Sequence, residues 1–222
     1  LQRAGVADPI VVTITRKVIE TPSVEWRVLE QDSTIGYIRI RLFTERTGRE
    51  LERALQDLRG LGVTRLIVDM RDNPGGVLDA AVDVASQFLR EGVVLYEDRR
   101  GEAEKFYTVK KGGLALDLPL VVLANGGTAS ASEIVAGALQ DYQRGPLIGE
   151  RTFGKGSVQL VYDLSDQSSL HVTVARWLTP DRHRIDGQGL LPDIEVALSE
   201  ADRAAGADPQ LERAIAYLGD RE

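Results

Sequence analysis

Three hydroxyls at alternate positions, Thr128, Ser130 and Ser132, stand where an apolar run gives way to a helical pattern, in LVVLANGGTASASEIVAGALQDY, residues 120–142. Further along, Lys155 sits between two glycines in GERTFGKG, residues 149–156. A hydroxyl beside a neutral amine makes a nucleophile and its base for acyl transfer: the amine takes the proton as the oxygen attacks a carbonyl. Packing in an apolar pocket keeps a lysine neutral, because it strips the water that hydrates the charged form. Each feature also has an ordinary explanation. Lys155 reads as a solvated turn residue. Ser130-Ala131-Ser132-Glu133 matches a capping box, in which Ser130 only satisfies the first helical N–H groups. A serine at such a junction nevertheless faces the positive end of the helix, where the Ala131 N–H could donate to the oxyanion of an attacked carbonyl. The residues alone leave Thr128, Ser130 and Ser132 all open as the nucleophile.

A second candidate is DMRDNPGG, residues 69–76. It reads either as a strand-terminating turn, with Gly75 and Gly76 free to take positive φ, or as the source of a second exposed backbone donor. Other chemistries fit less well. GERTFGKG resembles a phosphate-binding loop, but Gly156 stands where Ser or Thr would hold magnesium, and the next residues alternate like a strand instead of opening a helix. The two histidines, His171 in mid-strand and His183 in a charged turn, read as structural or solvated. With no cysteine, thiolate nucleophiles, thiolate zinc sites and disulfides are excluded. No metal or cofactor site is expected. The net charge of −7 argues against nucleic acid or an anionic membrane as partner.

The elements that must position these residues follow from periodicity. Alternation predicts strands at 10–14 and 35–43, a helix over 47–61, a buried strand at 64–71, the turn 72–76 and a helix over 77–90. Strands at 93–100 and 104–111 precede a buried strand at 119–124 and a helix from about 130 to 142. SVQLVYDL and SSLHVTVARWL pair as strands, GLLPDIEV is extended, and 208–218 is an amphipathic closing helix. Buried strands alternating with helices, flanked by antiparallel-looking strands, make an α/β domain with antiparallel additions. The first strand lacks an upstream partner, so the chain is expected to be a fragment of a longer protein. No apolar run reaches the roughly 18 residues that span a bilayer.

GYIRIRLF, LIVDMRDNPGG, VVLANGGTASASEIVAGALQD, LIGERTFGKGSVQ and GLLPDIEV occur in the order found in carboxyl-terminal processing peptidases, also called tail-specific proteases. The resemblance runs from about Val24 to Leu218. It implies a crotonase/ClpP-like ββα core and a serine endopeptidase that cleaves proteins near their C-termini with a Ser-Lys dyad. By that likeness Ser130 is the nucleophile, Lys155, twenty-five residues on, the general base, and Gln159 the residue that orients the lysine. Gly76, or less readily Gly75, and Ala131 would supply the oxyanion N–H groups. Thr128 departs from the serine that many members carry there.

The family also carries a PDZ domain, which binds a peptide carboxyl terminus by strand addition. Only its last strand or two is expected here, as residues 1–22, before a peptidase core over 23–222. Protein substrates with nonpolar C-termini, a homo-oligomer or adaptor protein, and a bacterial cell-envelope setting, usually periplasmic, follow from the likeness. A non-catalytic peptide-binding or assembly fragment is the competing expectation. Acyl-thioester enzymes of the same broad fold also pair backbone donors but do not need the Ser-Lys-Gln set.

Overall fold

A computed structural model of the chain describes residues 21–220 and Asp8. The expected strand at 10–14, and with it nearly all of the PDZ remnant, lies outside the described residues. In chain order the elements are β1 (Val24–Val28), β2 (Ile35–Ile40), α1 (Thr47–Gly60), β3 (Arg65–Asp69), α2 (Leu78–Ser86), β4 (Val93–Arg99) and β5 (Lys105–Thr108). They continue with β6 (Leu120–Ala124), α3 (Ala131–Asp141), β7 (Leu147–Gly149), β8 (Ser157–Asp163), β9 (Ser169–Leu178), β10 (Ile194–Glu195), α4 (Glu200–Ala205) and α5 (Pro209–Gly219).

Six strands form the central sheet in the order β1-β2-β3-β6-β7-β10. All its pairs are parallel except β1 with β2. Strands buried on both faces must be apolar along most of their length, which is why LIV and LVVLA read as continuous runs. Period two then sorts their side chains. Leu66, Val68 and Val122 point into one core with α1, α2 and α3, while Ile67, Val121 and Leu123 point into a second core with Ala214 and Leu218 of α5. Asp69 follows Ile67 at the next same-face position, and so emerges on the α5 side.

The remaining strands form an antiparallel sheet in the order β5-β4-β9-β8. Its β8–β9 hairpin carries Leu160 opposite Val172 and Tyr162 opposite Leu170, all exposed. The expected α/β architecture with antiparallel additions is what forms. Three elements escaped the periodicity reading: β1, whose Val24-Glu25-Trp26-Arg27-Val28 alternates as an edge strand should, and the very short β7 and α4. The strand expected to reach Phe43 ends at Ile40; beyond it Phe43 makes only an isolated bridge to Gly76. Among the described residues no helix is long and apolar enough to cross a membrane.

The consequence for function is positional. β3 and β6 are adjacent parallel strands, so the turn after β3 and the turn after β6 leave the sheet side by side at its carboxyl edge. In open α/β sheets that edge is where ligands bind.

Candidate active site

Those two turns are stitched together. Asn125 Oδ1 accepts the Asp72 N–H at 2.9 Å, and Asn125 Nδ2 donates to Asp72 Oδ1 at 2.9 Å. The Asn73 carbonyl accepts both the Ala129 N–H at 2.9 Å and the Ser132 hydroxyl at 3.0 Å. The Thr128 hydroxyl donates to the Met70 carbonyl at 2.9 Å and accepts the Asn125 N–H at 3.0 Å. Two of the three alternate hydroxyls are therefore fully buried and tied to backbone that they hold in place. That separates them from Ser130.

Ser130 has φ 58° and ψ −119°. A residue that only caps a helix takes the extended β region, whereas a non-glycine residue held here stores on the order of 1–3 kcal/mol of strain. The capping box read from the sequence is present, with the Glu133 carboxylate accepting the Ser130 N–H at 2.9 Å. Capping alone does not account for the backbone. Strain of this kind persists only where the surroundings impose it.

The surroundings are visible in Gly75, at φ 100°. A Cβ on it would fall 2.6 Å from Ser130 Cβ and 2.9 Å from Ala131 N, so only glycine lets the turn lie against the serine. Its N–H is committed, donating to Asn73 Oδ1 at 2.9 Å. Gly76, at φ 138°, packs so closely on Phe43 that a Cβ would lie 2.0 Å from the Phe43 carbonyl oxygen. Among the described residues neither the Gly76 N–H nor the Ala131 N–H donates to an intramolecular acceptor. The two donors nominated from the sequence are thus free, one on each turn.

Lys155 approaches through Glu133. This carboxylate is fully buried in the first turn of α3, next to the buried Ala131, Ile134 and Val135. Its Oε1 accepts from the Thr152 hydroxyl at 2.5 Å and the Gly154 N–H at 2.7 Å. Its Oε2 accepts from the N–H groups of Ser130 at 2.9 Å and Lys155 at 2.8 Å. Two nitrogens on one oxygen lie within about 6 Å of each other, roughly the length of an extended lysine side chain. A further bond, Phe153 N–H to the Thr128 carbonyl at 3.0 Å, draws the same loop to the serine turn.

The structure differs from the apolar pocket expected for Lys155, whose side chain is exposed. The loop crosses the open carboxyl edge of the sheet, and none of the described residues buries the Lys155 side chain there. Gln159, on β8, is also exposed, with Nε2 3.4 Å from Thr173 Oγ1, and no hydrogen bond to Lys155 forms among the described residues. The histidines lie elsewhere. His171 faces Val161 across the exposed hairpin. His183 Nδ1 sits 3.3 Å from Asp141 at the far end of α3, about 16 Å along the helix from Ser130 at 1.5 Å per residue. The wider role of Glu133 was missed from the sequence, where it registered only as a capping partner. A glutamate in the buried face of SEIVAGAL was the available signal.

Two outcomes follow from this geometry. Ser130→Gly should relieve the backbone and raise the unfolding free energy by roughly 0.5–1 kcal/mol in urea melts; a loss of stability would mean that Ser130 is not strained. Glu133→Gln sets an amide N–H₂ against N–H donors and should lower stability by about 1–3 kcal/mol in the same assay, whereas an unchanged midpoint would rule out the four-donor arrangement.

A family model described as peptidase family S41 matches residues 34–196. The carboxyl-terminal-processing protease of Synechocystis sp. is 42% identical over 221 residues, taking in 97% of this chain and 51% of that protein. The carboxy-terminal-processing protease of Bartonella bacilliformis is 39% identical over 216 residues, 95% of this chain and 49% of that one. Among solved structures, a photosystem II D1 C-terminal processing protease superimposes with a TM-score of 0.72 at 36% identity, covering 81% of this chain and 49% of that chain. The chain spans about half the length of the relatives it matches. With the family pattern extending across both turns and the lysine loop, this chain belongs to peptidase family S41.

Proposed function

We propose that the chain carries the catalytic core of a serine endopeptidase that cleaves proteins near their carboxyl ends. The observation that carries the reading is the strained Ser130 at the mouth of α3, flanked by two N–H groups without acceptors and joined to the Lys155 backbone through one carboxylate oxygen. The names of the relatives and the S41 match support the reaction class.

In this mechanism neutral Lys155 takes the proton of Ser130 as Oγ attacks the peptide carbonyl. Charge developing on the carbonyl oxygen is met by the Gly76 and Ala131 N–H groups. Collapse breaks the C–N bond, and Lys155 returns the proton to the leaving amine. Water then attacks the acyl-enzyme, Lys155 takes a proton from it, and the Ser130 hydroxyl is restored. The open setting of Lys155 gives the substrate a second role, because a peptide lying across the two turns covers the amine and removes its water. Gln159 orients the lysine once that cover is in place.

Substrates are proteins with nonpolar tails, met in a bacterial cell envelope, with a homo-oligomer or an adaptor protein adding control. The supports are the sequence likeness and, for the bacterial setting, the organisms of the two bacterial relatives named above.

Ser130→Ala and Lys155→Ala should each lower turnover of an unfolded protein with a nonpolar tail by at least about a thousandfold, with folding intact by circular dichroism. Parent-level turnover in either variant removes the assignment.

A further inference from the structure

The residue just before the glycine turn is held from an unexpected direction. Arg71 leaves the end of β3 on the α5 side of the sheet, and its side chain is only 11% exposed. All five guanidinium N–H groups find acceptors. Nε and Nη2 donate to Asp69, Nη1 to Asp208 Oδ1 at 2.7 Å and Gln210 Oε1 at 3.0 Å, and Nη2 also to Asp208 Oδ2 at 2.8 Å. Asp69 belongs to the same strand and adds no outside anchor, although Tyr37 Oη fixes it at 2.5 Å. The outside grip comes from Asp208 and Gln210, at the start of the closing helix.

Asp208 acts at two places. Its Oδ1 caps α5 by accepting the Leu211 N–H at 3.0 Å, and both its oxygens grip Arg71. Burial alone would raise its carboxyl, but the hydrogen bonds and charge of Arg71 hold it below the usual aspartate range. Gln210, fully buried, passes the connection to the Val196 carbonyl at 2.8 Å.

What this grip holds is the turn that follows. Asp72, next in the chain, has φ 59°, a left-handed conformation that a non-glycine residue keeps only under constraint. It is fixed on one side by Asn125 and on the other by the anchored Arg71. Three and four residues later come the glycines that lie against Ser130 and Phe43. A rotation at Asp72 would swing the Gly76 N–H away from the serine.

We infer that Asp208 is a positioning residue for the Gly75-Gly76 turn, acting through Arg71 from the closing helix. Its kinetic consequence rests on the peptidase reading above; its structural consequence does not. Asp208→Ser keeps a capping oxygen and deletes the carboxylate. In the full chain it should speed amide exchange at Gly75 and Ala129 at least tenfold while the β6 amides stay unchanged, and should lower kcat about tenfold or more with KM within twofold. Asp208→Asn, which keeps shape and cap, should move both readouts in the same direction and decides the matter if the serine variant does not fold. Leu218→Ala loosens the same helix from its other end and should leave Gly75 and Ala129 protected.

Exchange at the turn that matches the parent in a chain that still cleaves overturns the clamp and leaves the peptidase reading intact. So does equal loosening by Leu218→Ala, which would reduce the contact to general docking. Faster exchange with kcat unchanged also overturns it. Faster exchange in a chain whose parent cleaves nothing upholds the clamp and removes the peptidase reading.

Discussion

One buried carboxylate fixes the geometry on which everything else depends. Glu133 sits in a helix turn lined by alanine, isoleucine and valine, where an unsatisfied charge would be strongly destabilising. It is satisfied by four donors, from the serine N–H and from Thr152, Gly154 and Lys155. Two segments more than twenty residues apart thus share one acceptor, and neither can drift without orphaning a buried group. Thr152 extends the arrangement by accepting the Leu190 N–H at 2.7 Å, so the loop is bound on both sides. Ser130 and Lys155 are joined through their backbones, both N–H groups donating to Glu133 Oε2.

The parallel sheet supplies the second constraint. Strands β3 and β6 end at the same edge, and the turns they release are bonded to each other through Asn73, Asn125 and Thr128. Rigid neighbours of this kind let the chain hold Asp72 and Ser130 at positive φ, each an unfavourable conformation that would relax in a loose loop. Among the described residues the Gly76 and Ala131 N–H groups have no intramolecular acceptor, and in the proposed mechanism they meet the carbonyl oxygen of the substrate. The amine of Lys155 is exposed, and in the proposed mechanism the substrate covers it.

Much of this was legible in the sequence because the relevant patterns are local. The apolar runs 64–71 and 119–124 mark doubly buried strands, and the helices at 47–61 and 208–218 follow their hydrophobic spacing. Ser130, Gly76, Ala131 and Lys155 were nominated from turn chemistry together with family likeness. Periodicity could not separate Thr128, Ser130 and Ser132, since only tertiary hydrogen bonds show which hydroxyls are occupied. The same holds for Arg71 and Asp208, whose partnership depends on a helix returning to the sheet far along the chain. Edge strand β1 was missed because exposed Glu25 and Arg27 dilute its apolar signal, and the apolar pocket expected around Lys155 is replaced by open surface.

Reactivity of a single hydroxyl tests the whole arrangement most directly. The chain would be incubated with a serine-directed covalent probe and the modified residue located by peptide mass spectrometry. Labelling confined to Ser130, and abolished by Lys155→Met in a folded chain, is the expected result. A folded parent chain in which Ser130 stays unmodified, or is modified equally well without the lysine, would contradict a nucleophile activated by Lys155.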